Sequence, residues 1–235
     1  IQHLPYRVIS LTGSSAHMKV VDPYSNKEKE MISFVSNDYL GLSHHPEVIK
    51  AGIDALEQYG AGAGASPLIG GHNFLHEQLE QEIAHFLKNE YAITYTSGYA
   101  ANCSTLLAMM DKEDIAIMDM FTHASVFDGC LCTNTNRFLH NNIDSLVHVL
   151  NNSKNFKNRF VIIDGVYSQD GDIAFLDQIY AVCKEHDAFL IVDDAHGIGV
   201  LGKTGRGIIE DYGLLDKVDM ITGTFSKAFG CVGGY

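Results

Sequence analysis

The chain predicts an α/β domain built on a mainly parallel sheet with helices on both faces. Strand-like and helix-like segments alternate along most of its length, the pattern of repeated strand–helix units. The strand-like segments are nearly continuous apolar runs, VIID at 161–164, FLIVDD at 189–194 and MITGT at 220–224, as expected where both faces of a sheet are buried. A length of 235 residues is enough for one large domain with a full core.

Taken in order, Met31 to Val35 predicts a short strand. Pro46 opens a helix that places Val48, Ile49, Ile53 and Leu56 on one face and runs to about Tyr59. GAGAGASPLIGG at 60–71 is a loop by composition. Phe74 to Leu87 is again periodic, Tyr91 to Thr96 predicts a strand, and Gly98 to Met110 a helix of small residues. The expected elements that follow are strand 114–118, helix 124–131, strand 137–139, helix 143–150, strand 160–164, helix 176–186, strand 189–192 and strand 220–222. Ligands of such sheets bind at the carboxyl ends of the strands. Attention therefore falls on Ser97, Gly98, His123, Ser168, Asp193, His196 and Lys227.

Hydrophobic residues make up 46% and charged residues 19%, ordinary values for a globular protein. The formal net charge of −13 repels phosphate backbones, so nucleic acid is not expected as a partner, although a small anion in a local pocket is compatible with it. No apolar run approaches the roughly 20 residues of a transmembrane helix, and no signal segment opens the chain, so a cytoplasmic location is expected. Ile1 rather than Met stands first, so the natural start is expected upstream. Five cysteines without a C-x-x-C predict reduced, mostly buried thiols, with Cys130 and Cys132 packed on a helix or its edge.

Two patterns invite a different chemistry. Gly197 to Thr204, GIGVLGKT, satisfies the phosphate-loop pattern and follows a strand, with Lys203 and Thr204 in the places of its closing G-K-[ST]. Such a loop must run straight into a helix, whereas Thr204 is followed by Gly205, Arg206 and Gly207, and glycine is a poor helix starter at about 1 kcal/mol against Ala. His72 and His76 stand four apart on a probable helix, but the zinc-protease glutamate is absent between them; a helix start with a surface histidine is expected, and no metal.

Asp193, His196 and Lys227 form the constellation that carries chemistry. Asp193 ends a buried strand, where a carboxylate needs a cationic partner, and a protonated pyridine ring is one such partner. Lys227 lies among small residues, Gly223, Ser226, Ala228 and Gly230, that allow a bulky group close; in a low-dielectric cleft its amine becomes a nucleophile. Taken singly, Asp193 could pair with any Arg or Lys, and Lys227 could be a surface lysine.

Eight segments in order carry a resemblance: SNDYLGL (36–42), the glycine-rich loop, HEQLE (76–80), SGYAAN (97–102), THAS (122–125), GVYSQDGD (165–172), VDDAHGIGVLGKTGRG (192–207) and GTFSKAFG (223–230). Together they resemble the α-oxoamine synthase family, over about residue 31 to the last. The resemblance implies the large domain of a fold type I pyridoxal 5'-phosphate (PLP) transferase at 36–235, incomplete at its C-terminus, after an N-terminal segment 1–35, with the family's small C-terminal domain absent. It implies PLP held as a Schiff base on Lys227, Asp193 on the pyridine nitrogen, His196 and Ser168 on the ring's 3-hydroxyl, and His123 stacked on the ring. It further implies the amides of Gly98 and Tyr99, with Thr224, on the phosphate, and Asn37 near the substrate. Many relatives carry Phe where Tyr99 stands, a change that a backbone contact tolerates. The implied reaction condenses an amino acid (alanine, glycine or serine) with an acyl-CoA and releases carbon dioxide to leave an α-amino ketone, in a homodimer. An aminotransferase or lyase on the same fold is the alternative within PLP chemistry, and a phosphate-loop nucleotide-binding protein the alternative outside it.

Overall fold

The computed structural model describes residues 7–235; the first six residues of the expected 1–35 segment lie outside it. A hairpin of β1 (His17–Val21) and β2 (Glu28–Ile32) comes first, followed by α1 (Pro46–Tyr59) and α2 (Phe74–Leu87). The α/β body then runs through α3 (Gly98–Met109), β3 (Ile115–Asp119), α4 (Ala124–Gly129), β4 (Asn134–Phe138), α5 (Ile143–Asn151) and β5 (Arg159–Asp164). It continues with α6 (Leu176–Glu185), β6 (Phe189–Asp193), the short α7 (Ile208–Asp211) and β7 (Met220–Thr222). Five strands form one parallel sheet in the order β4-β3-β5-β6-β7.

Strand alternation accounts for the two cores. Ile117, Val161, Ile163, Leu190 and Val192 pack toward Leu146, Leu150, Leu176 and Ile179 of α5 and α6. Their neighbours Ala116, Met118, Phe160, Ile162 and Ile191 pack the other way, toward Leu106 of α3 and Val126 of α4. Each fully buried aliphatic side chain contributes about 1.5–3 kcal/mol, and the buried interiors of β3, β5 and β6 are accordingly apolar until the carboxyl edge is reached, whereas the edge strand β4 is polar and mostly exposed. At the carboxyl edge the register aligns Asp164 with Asp193, and Asp193 with Thr222, in one polar row.

Most predicted helices and strands are present to within a few residues, and the differences have local causes. The strand expected at 31–35 lies three residues earlier. Its register is fixed by the turn in which Asp22 receives the Tyr24 amide and pairs its own amide with Lys27 O, so pairing ends at His17–Ile32. Phe34 and Val35 are left 91% and 88% exposed. Tyr91 to Thr96 forms no strand. Tyr95 alone bridges to Gly234, and among the described residues only Gly233 to Tyr235 lie between it and Gly223–Thr224. The glycine-rich loop contains one wide turn, Pro67–Gly71, in which Gly71 donates to Ser66 O at 2.8 Å. The apolar face of α1 has no cover: Ile49, Ile53 and Leu56 are 46–57% exposed. Cys130 and Cys183 are buried, whereas Cys132 and Cys231 are exposed.

The phosphate-loop reading of GIGVLGKT is overturned. After Thr204 the chain turns back, with Ile198 bridged to Arg206, and enters a helix only at Ile208. The amides of Thr204 and Arg206 donate to Glu210 Oε2 at 2.8 and 3.1 Å, so a carboxylate occupies them. Gly197, together with Gly165 and Gly207 from outside that pattern, makes room for Asp194 instead. Its buried carboxyl accepts the Ile208 amide at 2.9 Å, and a Cβ on Gly165, Gly197 or Gly207 would run into its oxygens. Gly207 also has φ 81°, where a side chain is strained. Gly207→Ala should therefore cost about 3 kcal/mol from left-handed strain and overpacking together, measured by urea denaturation. Lys203→Ala, at an exposed side chain, should stay within about 0.5 kcal/mol of the parent.

Candidate functional site

The polar row at the carboxyl edge of the sheet opens into a cavity of about 230 Å³ lined by Gly98, Tyr99, Asn102, His123, Asp164, Asp193, His196, Thr224 and Lys227, among others. Each comes from the end of an element. Asp164 and Asp193 terminate β5 and β6, and His196 lies in the turn after β6. His123 caps α4, and Gly98 opens α3. Lys227 follows β7 through a tight turn in which Gly230 donates to Lys227 O.

Asp193 is held from two sides. The Ala195 amide donates to Oδ1 at 3.0 Å and Asn102 Nδ2 donates to Oδ2 at 2.6 Å. The Asn102 amide also donates to Ser125 Oγ at 2.9 Å, and Ser125 Oγ lies 2.7 Å from His123 Nδ1. Since the Ser125 amide also points at that nitrogen (3.3 Å), His123 Nδ1 is the acceptor and its proton sits on Nε2. A continuous chain of hydrogen bonds thus links Asp193 to the ring of His123.

A second chain ends on the lysine. Lys227 Nζ lies 2.7 Å from His196 Nε2, and His196 Nδ1 lies 2.7 Å from Tyr39 Oη. An ammonium can only donate, so His196 accepts at Nε2 and gives its Nδ1 proton to Tyr39, whose hydroxyl lies 3.4 Å from Asn37 Oδ1. Burial, reinforced by the Lys227 charge, pushes His196 down to about 4, so it is neutral at neutral pH. Burial also lowers the Lys227 amine, against the pull of Asp193 and Asp164. Asp164 is raised to about 8, first by burial and then by the Asp193 charge.

Opposite the lysine, the start of α3 provides an anion site. Ser97 caps the helix by accepting the Ala100 amide, while the amides of Gly98 and Tyr99 have no partner within the helix. Gly98 is pressed against the turn after β7: a Cβ there would come within 2.8 Å of Thr224 Cβ. The Thr224 hydroxyl donates to Gly233 O at 2.9 Å and receives Ser226 Oγ. The Tyr99 side chain turns away to bond the Asp128 carboxylate, which pushes its phenol up to about 12.

Seven of the nine sequence-predicted site residues line this cavity: Lys227, Asp193, His196, His123, Gly98, Tyr99 and Thr224. Two do not. Ser168 is exposed and lines an adjoining hollow with Phe121, His123 and Tyr167. Asn37 reaches the cavity only through Tyr39. Sequence reasoning assigned no role to Tyr39, Asn102, Ser125 or Asp164. Asp164 carried a signal, since VIID ends in an acid as LIVD does; Asn102 lies more than one turn into a helix and carried none.

Two other places in the described residues gather polar groups or empty space. His72 Nε2 lies 3.2 Å from Glu77 and 3.7 Å from Glu80, but these carboxylates also bind Gln81 and Thr94, and His76 is spent on the capping box with Asn73. A cavity of about 370 Å³ between α2 and β7 is walled mainly by apolar side chains such as Ile83, Leu87, Ile93 and Met220, with no convergent charged pair.

The family profile described as aminotransferase class I and II matches residues 29–235. The 8-amino-7-oxononanoate synthase of Alkaliphilus metalliredigens (strain QYMF) is 43% identical over 210 residues, which are 88% of this chain and 53% of that protein. A serine palmitoyltransferase of Sphingomonas wittichii superposes with a TM-score of 0.92 at 34% identity, covering 99% of this chain and 57% of that one. A serine palmitoyltransferase variant from S. paucimobilis with a bound PLP–myriocin aldimine gives 0.91 at 34% identity, covering 98% of this chain and 57% of that one. The chain spans about half the length of the curated relatives it matches.

The electrostatics predict the reactivity of Lys227. In pH-dependent competitive labelling with an amine reagent, its midpoint should lie below the ordinary lysine value of about 10.4. Asp193→Asn should move it lower still, because the Asp193 charge raises it.

Proposed function

The chain belongs to the aminotransferase class I and II family, and within its α-oxoamine synthase branch we propose that it binds PLP and condenses an amino acid with an acyl-CoA. The observation that carries this reading is the convergence, in one cavity, of an amine of lowered pKa (Lys227), a two-sided buried carboxylate (Asp193) and the amino end of α3. These donor types fit PLP: Asp193 would hold the pyridine nitrogen and Lys227 the aldehyde carbon. His123 would lie against the ring. The Gly98 and Tyr99 amides, with Thr224, would hold the phosphate, where a Cβ at Gly98 would already collide. Residues 36–235 would make up the PLP-binding large domain.

When bound, PLP supplies an electron-withdrawing pyridinium that stabilises negative charge on the substrate's α-carbon. Asp193 would keep that ring nitrogen protonated, with Asn102 and Ala195 holding the carboxylate from two sides. Lys227 Nζ, unprotonated more readily than a free lysine, would take the α-proton. His196 Nε2, 2.7 Å away, orients the amine, and Tyr39 fixes the tautomer of His196. Overall, a carbon–carbon bond forms between the α-carbon and the acyl carbon; CoA leaves as the thiol and the α-carboxylate as carbon dioxide.

Relatives at 41–43% identity are named for 8-amino-7-oxononanoate and the structural neighbours for serine and a palmitoyl group; alanine, glycine and serine are the amino acids to test. A homodimer is supported by uncovered apolar surface on α1, at Phe34–Val35 and at Leu68–Ile69. A cytoplasmic location is supported by five unpaired cysteines. No helix among the described residues is long and apolar enough to cross a membrane.

Absorbance titration of the full chain with PLP, then borohydride reduction and peptide mapping, tests the cofactor. A yellow protein with PLP on the Lys227 peptide is expected; a colourless one refutes the reading. Lys227→Ala should abolish turnover and the covalent link, and Asp193→Asn should keep binding but lose at least about a hundredfold in rate. Carbon dioxide release that needs both amino acid and acyl-CoA separates this reaction from transamination.

A further inference from the structure

The loop after β5 and the turn after β3 meet on a histidine that the chemistry above does not use. His140 follows β4 and is largely buried. Its Nδ1 lies 2.9 Å from Asp119 Oδ1 and its Nε2 lies 2.7 Å from Asp172 Oδ2. Phe121 stacks on the ring at 4.4 Å between centroids, and Tyr167 meets it edge-on at 4.4 Å. Asp119 is fully buried and also accepts the amides of Phe121 (2.9 Å) and Asn141 (3.0 Å). The Asn141 side chain donates to Asp172 Oδ2 at 2.9 Å.

A neutral imidazole has one N–H and one lone pair. With a carboxylate at each nitrogen, one of the two contacts would set lone pair against lone pair. Both are hydrogen bonds only if both nitrogens are protonated.

We propose that His140, as an imidazolium between two aspartates, is a positioning residue that clamps the Tyr167–Ile173 loop to the Asp119–His123 turn and so fixes Ser168 and His123 beside the cofactor cavity. The turn runs from Asp119, whose carbonyl accepts the Thr122 amide, directly to His123, whose own amide points at Asp164. The loop carries Ser168 next to Tyr167, which touches the ring. What the clamp serves rests on the PLP reading; the clamp itself does not.

Burial pulls the pKa of His140 down, but the hydrogen bonds and charges of Asp119 and Asp172 outweigh it and leave the pKa raised. The titratable groups facing the ring are Asp119 from β3 and Asp172 and Tyr167 from the loop; burial keeps the Tyr167 phenol protonated. A raised folded pKa means that the clamp is complete below the ordinary histidine value of about 6.5 and lets go as pH rises through the folded value.

Nitrogen-15 histidine spectra of the full chain, with His140 assigned against His140→Gln, should show both ring nitrogens protonated below a midpoint that lies above the ordinary histidine value of about 6.5. PLP affinity of the wild type should fall at alkaline pH with the same midpoint. His140→Gln should bind PLP about tenfold more weakly at neutral pH, the loss of one hydrogen bond, and lack that alkaline limb. A His140 midpoint at or below that ordinary value, or a variant matching the wild type in affinity and pH profile, overturns the proposal. If the Gln variant fails to fold, Asp172→Asn, at a partly exposed side chain, should lower the spectroscopic midpoint of His140; an unchanged midpoint counts against the clamp. A doubly protonated ring in a protein that takes up no PLP would support the clamp and refute the cofactor reading.

Discussion

The burial of the Asp193 carboxylate is the constraint around which the site is arranged. A strand that is apolar on both faces delivers this group to the sheet edge at 8% exposure, where an unpartnered carboxylate costs several kcal/mol. Its two donors come from different elements, a turn amide immediately downstream and a side chain of α3. Satisfying Asp193 therefore fixes how α3 sits on the sheet, and with it where the amino end of that helix points. Ser125 and His123 join the same chain, so α4 is placed by the same requirement.

The neighbouring aspartate meets the other half of the problem. Asp193 faces the cavity, whereas Asp194 turns into the body, where burial holds it well above the usual carboxylate range. Three glycines crowd its carboxyl because no side chain fits beside it. Of the two glycines that fix the phosphate-loop spacing, Gly197 lies against the Asp194 carboxyl and Gly202 against Glu210, so internal acids, not a ligand, face them. In the cavity, Asp164, Asp193, His196 and Lys227 lie together in a small volume. Burial opposes charge on Asp164, His196 and Lys227 alike, and leaves the lysine readier to lose its proton and the histidine neutral.

The region before the α/β body has a different character. The apolar faces of α1 and of the glycine-rich loop have little to pack against, and Leu68 is 97% exposed. Apolar surface of this extent on well-formed elements marks contacts made with something else. Tyr39 reaches from this region to His196 Nδ1, so its placement bears on the orientation of that histidine.

Much of this was legible in the sequence. Helices α1 and α2, the five sheet strands and the involvement of Asp193, His196 and Lys227 follow from periodicity, apolar runs and motif order, because these are local properties of the chain. The 31–35 and 91–96 strands were misplaced because pairing partners decide strands: the first was set by a distant turn, and the second has a partner only at Gly234. Tyr39 and His196, 157 positions apart, gave no sign of their contact, nor did His140 of its two aspartates. Sequence by itself determined which groups stand at the carboxyl ends of β5 and β6, since burial on both faces leaves the interiors of those two strands apolar. Only the tertiary structure decided which of them share a hydrogen bond and which carry a proton, because both depend on distances between elements that no local pattern encodes.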